Sequence, residues 1–227
     1  MTIAEYSELL ALKLVVTKRN FIEYLKVIYR YYRNYKFCKI DTAILAKYIF
    51  SNPFVISKKF LETRGEKEIY AYGETPLTTL EKICKECSLS SKDNFFELGA
   101  GRGRGCFWVH TFIKCPVVGI EYVPNFVQNA EKILEKFSLK NIEFRLENLL
   151  ESDFKNATVI YLYGTCFDTD FIQKLIHKFS FLPKGTTIIT VSYSLTEYTP
   201  IPLFEVMKCF SAPFTWGEGD VYIQRKL

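Results

Sequence analysis

The stretch Glu97-Leu98-Gly99-Ala100-Gly101-Arg102-Gly103-Arg104-Gly105 holds the densest chemistry in this chain. Successive glycines let a backbone turn sharply and let a ligand come close to it. A dinucleotide turn reads G-x-G-x-x-G and seats a pyrophosphate on a helix N-terminus. It needs a small residue where this chain has Arg104. The spacing here is acidic-x-G-x-G-x-G, and a carboxylate at its head, Glu97, suits a ligand that carries a cation. Glu121 follows 24 residues later, near the ~20-residue interval at which a carboxylate accepts ribose hydroxyls. Beyond it, Asn148 is placed to meet an adenine amino group and Leu149 to pack on the ring.

The surrounding pattern supplies the elements that position these groups. Asn94–Leu98, Val117–Glu121, Ile142–Glu147, Val159–Tyr163 and Thr187–Tyr193 read as strands, and Phe204–Phe210 and Val221–Arg225 as two more. Helical faces alternate with them, at Leu77–Cys87, at Phe126–Phe137 after Pro124-Asn125, and at Phe171–Phe179 after Asp168. Alternating strand and helix predicts an α/β, doubly wound, mostly parallel sheet with ligands at the carboxyl ends of its strands. The first third reads as helical. Leu9–Val15 and Arg19–Arg33 predict two helices, and Asp41-Thr42 a cap for a third that ends at Asn52-Pro53. The expected domains are a basic helical region over 1–70 and a ligand-binding domain over 71–227.

Composition narrows the function classes. The 227 residues are 48% hydrophobic and 16% aromatic, which excludes a disordered or low-complexity chain. The net charge of +5 is uneven: residues 1–70 carry +6 and the remainder −1. No apolar run approaches the ~18–20 residues that span a bilayer, and no membrane partner is expected. Seven cysteines without a framework read as reduced thiols in the cytoplasm, and a lone Cys84-x-x-Cys87 lacks the second pair that zinc requires, so no metal is expected.

At this point the sequence resembles class I S-adenosylmethionine-dependent methyltransferases, and among them the DOT-type, non-SET histone lysine methyltransferases and their bacterial relatives. Tyr72-Gly73-Glu74-Thr75 is similar to a family loop that folds over the methionine part of the cofactor. Glu97–Gly103 is similar to its D-L-G-S-G-x-G turn, and Gly119-Ile120-Glu121 to its ribose-binding segment. Leu175–Gly185, Phe214-Thr215-Trp216-Gly217 and Asp220–Ile223 also match. The resemblance covers about residues 70–227. It implies a Rossmann-like seven-stranded sheet, S-adenosyl-L-methionine as cofactor, and a protein lysine amine as methyl acceptor. It implies cofactor contacts at Tyr72, Gly73, Glu74, Thr75, Glu97, Gly99, Gly101, Gly103, Glu121, Asn148, Leu149, Tyr163 and Gly164. The family's paired asparagines after the fourth strand are replaced here by Tyr163-Gly164-Thr165-Cys166-Phe167, and its acidic–aromatic adenine pair by Asn148-Leu149.

Methyl transfer requires positioning of nucleophile and methyl in a water-excluding channel, and desolvation favours the neutral amine. Tyr72, Tyr163 and Phe167 are the candidate channel residues, with Tyr163 touching the nucleophile. Glu74 either bonds the cofactor loop or acts as a base. Methylation of RNA or a small molecule, or cofactor binding without turnover, are the competing readings. The basic stretch Lys13–Lys39, interleaved with tyrosines, offers a surface for nucleic acid or an acidic protein. The plainer reading is a solvated helix face whose tyrosines pack on the rest of the chain. Removing residues 1–70 is expected to spare the cofactor pocket.

Overall fold

The computed structural model describes residues 3–227, with side chains at Tyr6 and from Leu12 onward. Helix α1 (Ile3–Tyr31) is one continuous helix where the pattern predicts two. No Gly or Pro lies within it to break the ladder. Helix α2 (Tyr35–Lys47) is capped by Asn34, whose side chain accepts from the Phe37 N–H at 3.1 Å. Asp41, expected as a cap, lies mid-helix and fully buried. Asn52-Pro53, expected to end a helix, instead opens α3 (Pro53–Thr63). Asn52 accepts from the Phe54 N–H, and a proline in the first turn sacrifices no intrahelical bond.

The remaining elements alternate: α4 (Leu77–Glu86), β1 (Phe95–Leu98), α5 (Arg104–Phe112), β2 (Val117–Glu121), α6 (Pro124–Lys136), β3 (Ile142–Leu146), β4 (Val159–Leu162), α7 (Thr169–Phe179), β5 (Thr187–Val191), a 3-10 turn at Leu195–Tyr198, β6 (Phe204–Pro213) and β7 (Glu218–Lys226). Asp168 caps α7 as expected, accepting from the Phe171 N–H at 2.8 Å. The strands form one seven-stranded sheet in the order β3-β2-β1-β4-β5-β7-β6. The pairings from β3 through β5 are parallel, and β7 runs antiparallel to both neighbours.

Two apolar layers sandwich the sheet. One packs α2, α4, α5, α6 and the end of α1 against Phe95, Val117, Phe144 and Tyr161; the other packs α7 against Phe96, Ile120, Ile160 and Ile188. Strand side chains alternate between faces. That period places Glu97 beside Phe95, Glu121 in register with Val117, and Tyr163 in register with Tyr161, all on the α4–α6 face. Val27, Tyr31, Phe37, Ile40, Ile44 and Tyr48 belong to this same core. The boundary near residue 70 is therefore a change of sequence pattern, and the packing is continuous across it.

Candidate active site

The glycine turn leaves β1 with Gly99 and Ala100 donating their N–H groups to Ile120 O, both at 2.9 Å, which holds it against the end of β2. Gly103 takes φ +75° at the start of α5, and a Cβ there would lie 2.5 Å from the Phe144 ring. Only glycine satisfies both conditions. Gly99 and Gly101 also have positive φ.

Three carboxylates stand at the ends of three neighbouring strands. Glu121 Oε2 accepts from the Gly101 N–H at 2.6 Å, and its Oε1 accepts from the N–H groups of Tyr122 and Val123, each at 2.8 Å. Burial raises the Glu121 carboxyl, partly opposed by these three bonds. A carboxylate offers about four acceptor positions, so one remains for a ribose hydroxyl. Glu97 is buried beneath the turn, against the Gly105 backbone, with the Cys106 thiol donating to it at 3.0 Å. Burial pushes its carboxyl up to about 7. Such a group gains most from an incoming cation. The third, Glu147, was not anticipated: its Oε2 is buried with no partner among the described residues. Its position after β3, matching Glu97 after β1 and Glu121 after β2, was the available signal.

Tyr72–Thr75 lies across the turn. A Cβ on Gly101 would sit 3.2 Å from the Tyr72 ring, and that ring packs on Phe126 and Phe54 with centroids 5.2 and 5.0 Å away. The Tyr72 hydroxyl donates to Glu74. Arg102 Nε and Nη2 donate to the two Glu74 oxygens at 2.5 and 2.6 Å. Burial alone would raise the Glu74 carboxyl, and the Arg102 guanidinium outweighs it and holds it below the usual range. With both oxygens engaged, Glu74 clamps the loop to the turn and is not placed as a general base. Arg102, the other half of the clamp, was absent from the expected site. Thr75 shares a 2.5 Å hydrogen bond with the Tyr161 hydroxyl, fixing the loop's far end to β4.

Beyond β4, Tyr163 packs against Gly73, where a Cβ would lie 2.7 Å from its ring. It stacks on Phe214 at 5.4 Å, and Phe214 stacks on Trp216 at 5.5 Å. The Trp216 indole N–H donates to the Tyr163 hydroxyl at 2.6 Å. Gly164 is buried under Phe167, which packs on Phe171 with centroids 4.3 Å apart. Phe167 is thus turned toward α7 and does not join the Tyr163 wall. Asn148 Oδ1 accepts from the Leu150 N–H at 3.0 Å, and Leu149 is buried in the α7-side core. Leu149 was expected against an adenine ring; the structure places it within the α7-side core.

The residues fit a nucleoside carrying a cation. The fit rests on the glycine cradle, on the buried Glu97 carboxyl at the head of the turn, on Glu121 with one acceptor position open, and on the unpartnered Glu147 oxygen.

Comparison with known proteins agrees. The chain is 25% identical, over 57% of its length, to the Dictyostelium discoideum histone-lysine N-methyltransferase specific for H3 lysine-79, and spans 8% of that protein. It is 27% identical, over 49% of its length, to the protein-L-isoaspartate O-methyltransferase of Methanococcus maripaludis, and spans 58% of it. The fold is shared with an RNA methyltransferase from Salinibacter ruber solved with S-adenosyl-L-homocysteine. That likeness has a TM-score of 0.56 and 24% identity, covering 67% of this chain and 93% of the other. The family model described as histone methylation protein DOT1 matches residues 64–201, more than half of the sequence and every residue of the glycine turn and its clamp. This chain belongs to the DOT1 family.

Proposed function

We propose that this protein is an S-adenosylmethionine-dependent methyltransferase that transfers a methyl group in line to a protein lysine amine. The observation that carries the reading is the aromatic wall Tyr163–Phe214–Trp216, whose Tyr163 ring packs on Gly73 of the loop that crosses the turn. Both curated relatives are named for action on protein. When bound, the cofactor supplies a methyl group on a sulfonium. Glu97 would hold the cationic end of the methionine part, and Glu121 would accept from the ribose. The Glu74–Arg102 pair keeps the loop closed over that end of the cleft.

The wall's task is to exclude water from the acceptor. A lysine nitrogen reaching Tyr163 leaves bulk solvent, which favours its neutral form. Since Glu74 is held by Arg102, the amine's proton goes to solvent before transfer. Positioning of this kind can supply about 7–11 kcal/mol of the barrier. The seven unpaired thiols support a reducing compartment such as the cytoplasm. Total hydrolysis of protein labelled with radioactive methyl groups tests the acceptor: methyl-lysine is expected, and label confined to any other amino acid contradicts it.

A further inference from the structure

Helix α1 carries a second surface that the methyltransferase reading does not use. Its body side is the stripe Glu23, Val27, Tyr31. Glu23 accepts from the Thr78 N–H and hydroxyl at 3.0 and 2.7 Å, and the other two are buried. At 3.6 residues per turn the exposed apolar residues Leu14, Val15, Phe21, Ile22, Leu25 and Ile28 fall on the opposite side. These six are 70%, 47%, 61%, 41%, 50% and 39% exposed. Scattered apolar residues on a surface are ordinary, but an apolar patch gathered on one side of a helix marks an interaction site.

We infer that this face of α1 lies in the headgroup region of an anionic lipid bilayer, with the catalytic body held behind it. Three observations favour lipid over protein. First, Arg19, Lys26 and Arg30 run along the margin of the patch beyond Val15 and Ile22, and Lys13 along the other margin, all exposed, with Arg30 also reaching Glu81 of α4 at 3.4 Å. Among the described side chains of α1 the single carboxylate, Glu23, faces Thr78. That charge complements anionic headgroups and opposes pairing with a second copy of the same helix. Second, Leu14, Lys18, Phe21, Leu25 and Ile28 follow the a/d spacing of a helix–helix seam, and Lys18 interrupts it. A lysine in a packed seam is buried at a cost, whereas at a lipid surface its stem lies along the acyl chains and its ammonium reaches a phosphate. Third, Tyr24 and Tyr29 are exposed on this helix, and tyrosines favour the bilayer–water interface. None of the described helices is long and apolar enough to cross a membrane, and a helix lying in the interface needs no such length. Arg19 also lies close to Gly217, in the turn that presents Trp216, so a docked α1 sets the bilayer beside the aromatic wall.

The test uses the full chain and sedimentation with two vesicle types, phosphatidylcholine alone and phosphatidylcholine mixed with phosphatidylglycerol. Binding to the mixed vesicles is expected, with little to the neutral ones, and with release at high salt. Phe21→Glu and Leu25→Glu should each weaken it at least ~10-fold, and Lys18→Glu should weaken it too. All three positions are exposed, so unfolding temperatures should not change. The inference is overturned by equal binding of the variants and the unaltered chain, or by no binding to either vesicle. It is equally overturned if the unaltered chain self-associates without vesicles and Leu25→Glu abolishes that association.

Discussion

Arg104, at the start of α5, donates Nε and Nη2 to the two carboxylate oxygens of Asp41, in the middle of α2, at 2.6 and 2.8 Å. Asp41 has no exposed surface, and the Tyr32 hydroxyl also donates to it at 2.9 Å. The pair links the basic helical third to the glycine turn itself. Arg104 also stands where a dinucleotide fold needs a small residue, so one side chain departs from that pattern and anchors the N-terminal helices.

Breaking this link should disturb the site from a distance. Asp41→Ala leaves a guanidinium buried without its partner, a change that costs about 3–5 kcal/mol in comparable sites. Thermal unfolding should show a loss of that order. The double variant Asp41→Ala/Arg104→Leu should recover part of it. A chain lacking residues 1–70 also loses Phe37, Ile40 and Ile44 from the shared core. It is expected to lose adenosylhomocysteine binding, in place of the spared pocket that the sequence pattern suggests.

Glu121 should govern cofactor affinity. Hydrogen bonds to charged groups contribute about 1.5–3 kcal/mol. Glu121→Gln, which also disturbs the Gly101 N–H contact, is therefore expected to weaken adenosylhomocysteine binding by ~100-fold in calorimetry. An unchanged dissociation constant with an intact circular dichroism spectrum would remove Glu121 from the site.

Glu97 sets a pH dependence. Its folded-state value of about 7 lies above the ordinary 4.5, so its contribution to stability is present below about 4.5 and is lost as pH rises through about 7. The difference corresponds to roughly 3 kcal/mol. Glu97→Gln should accordingly melt several degrees higher than the unaltered chain at alkaline pH and show little advantage in acid. Cofactor binding should move the opposite way. It needs the ionised carboxylate, so affinity should fall as pH drops below about 7, and in Glu97→Gln it should be weak at every pH.

Trp216→Phe keeps an aromatic ring beside Phe214 but removes the N–H that fixes the Tyr163 hydroxyl. A neutral hydrogen bond contributes about 0.5–1.5 kcal/mol. Turnover should drop several-fold while adenosylhomocysteine affinity stays constant. Equal losses in both would place Trp216 at the cofactor and not at the acceptor.

The sheet was legible because its strands are short apolar runs bounded by turn residues. Val117–Glu121 begins and ends where the pattern places it. The glycine turn and Glu121 were legible because their chemistry is local or follows a short spacing. What escaped depends on contacts between distant positions. Arg102 and Glu74 are 28 residues apart, Asp41 and Arg104 63, and Trp216 and Tyr163 53. Asp41 looked like a cap because it precedes Thr42 and an apolar run, and its buried partner overrode that local preference. Leu149 looked like an adenine platform because it follows β3; its place in the α7-side core is set by long-range packing that the spacing does not carry.

The central claim is methyl transfer to protein. Incubating the full chain with radiolabelled S-adenosylmethionine and a cell lysate, then digesting separately with protease and with nuclease, tests it directly. The expected label is lost on protease treatment, survives nuclease, and is absent with Glu121→Ala. Label that survives protease and disappears with nuclease would contradict the protein acceptor.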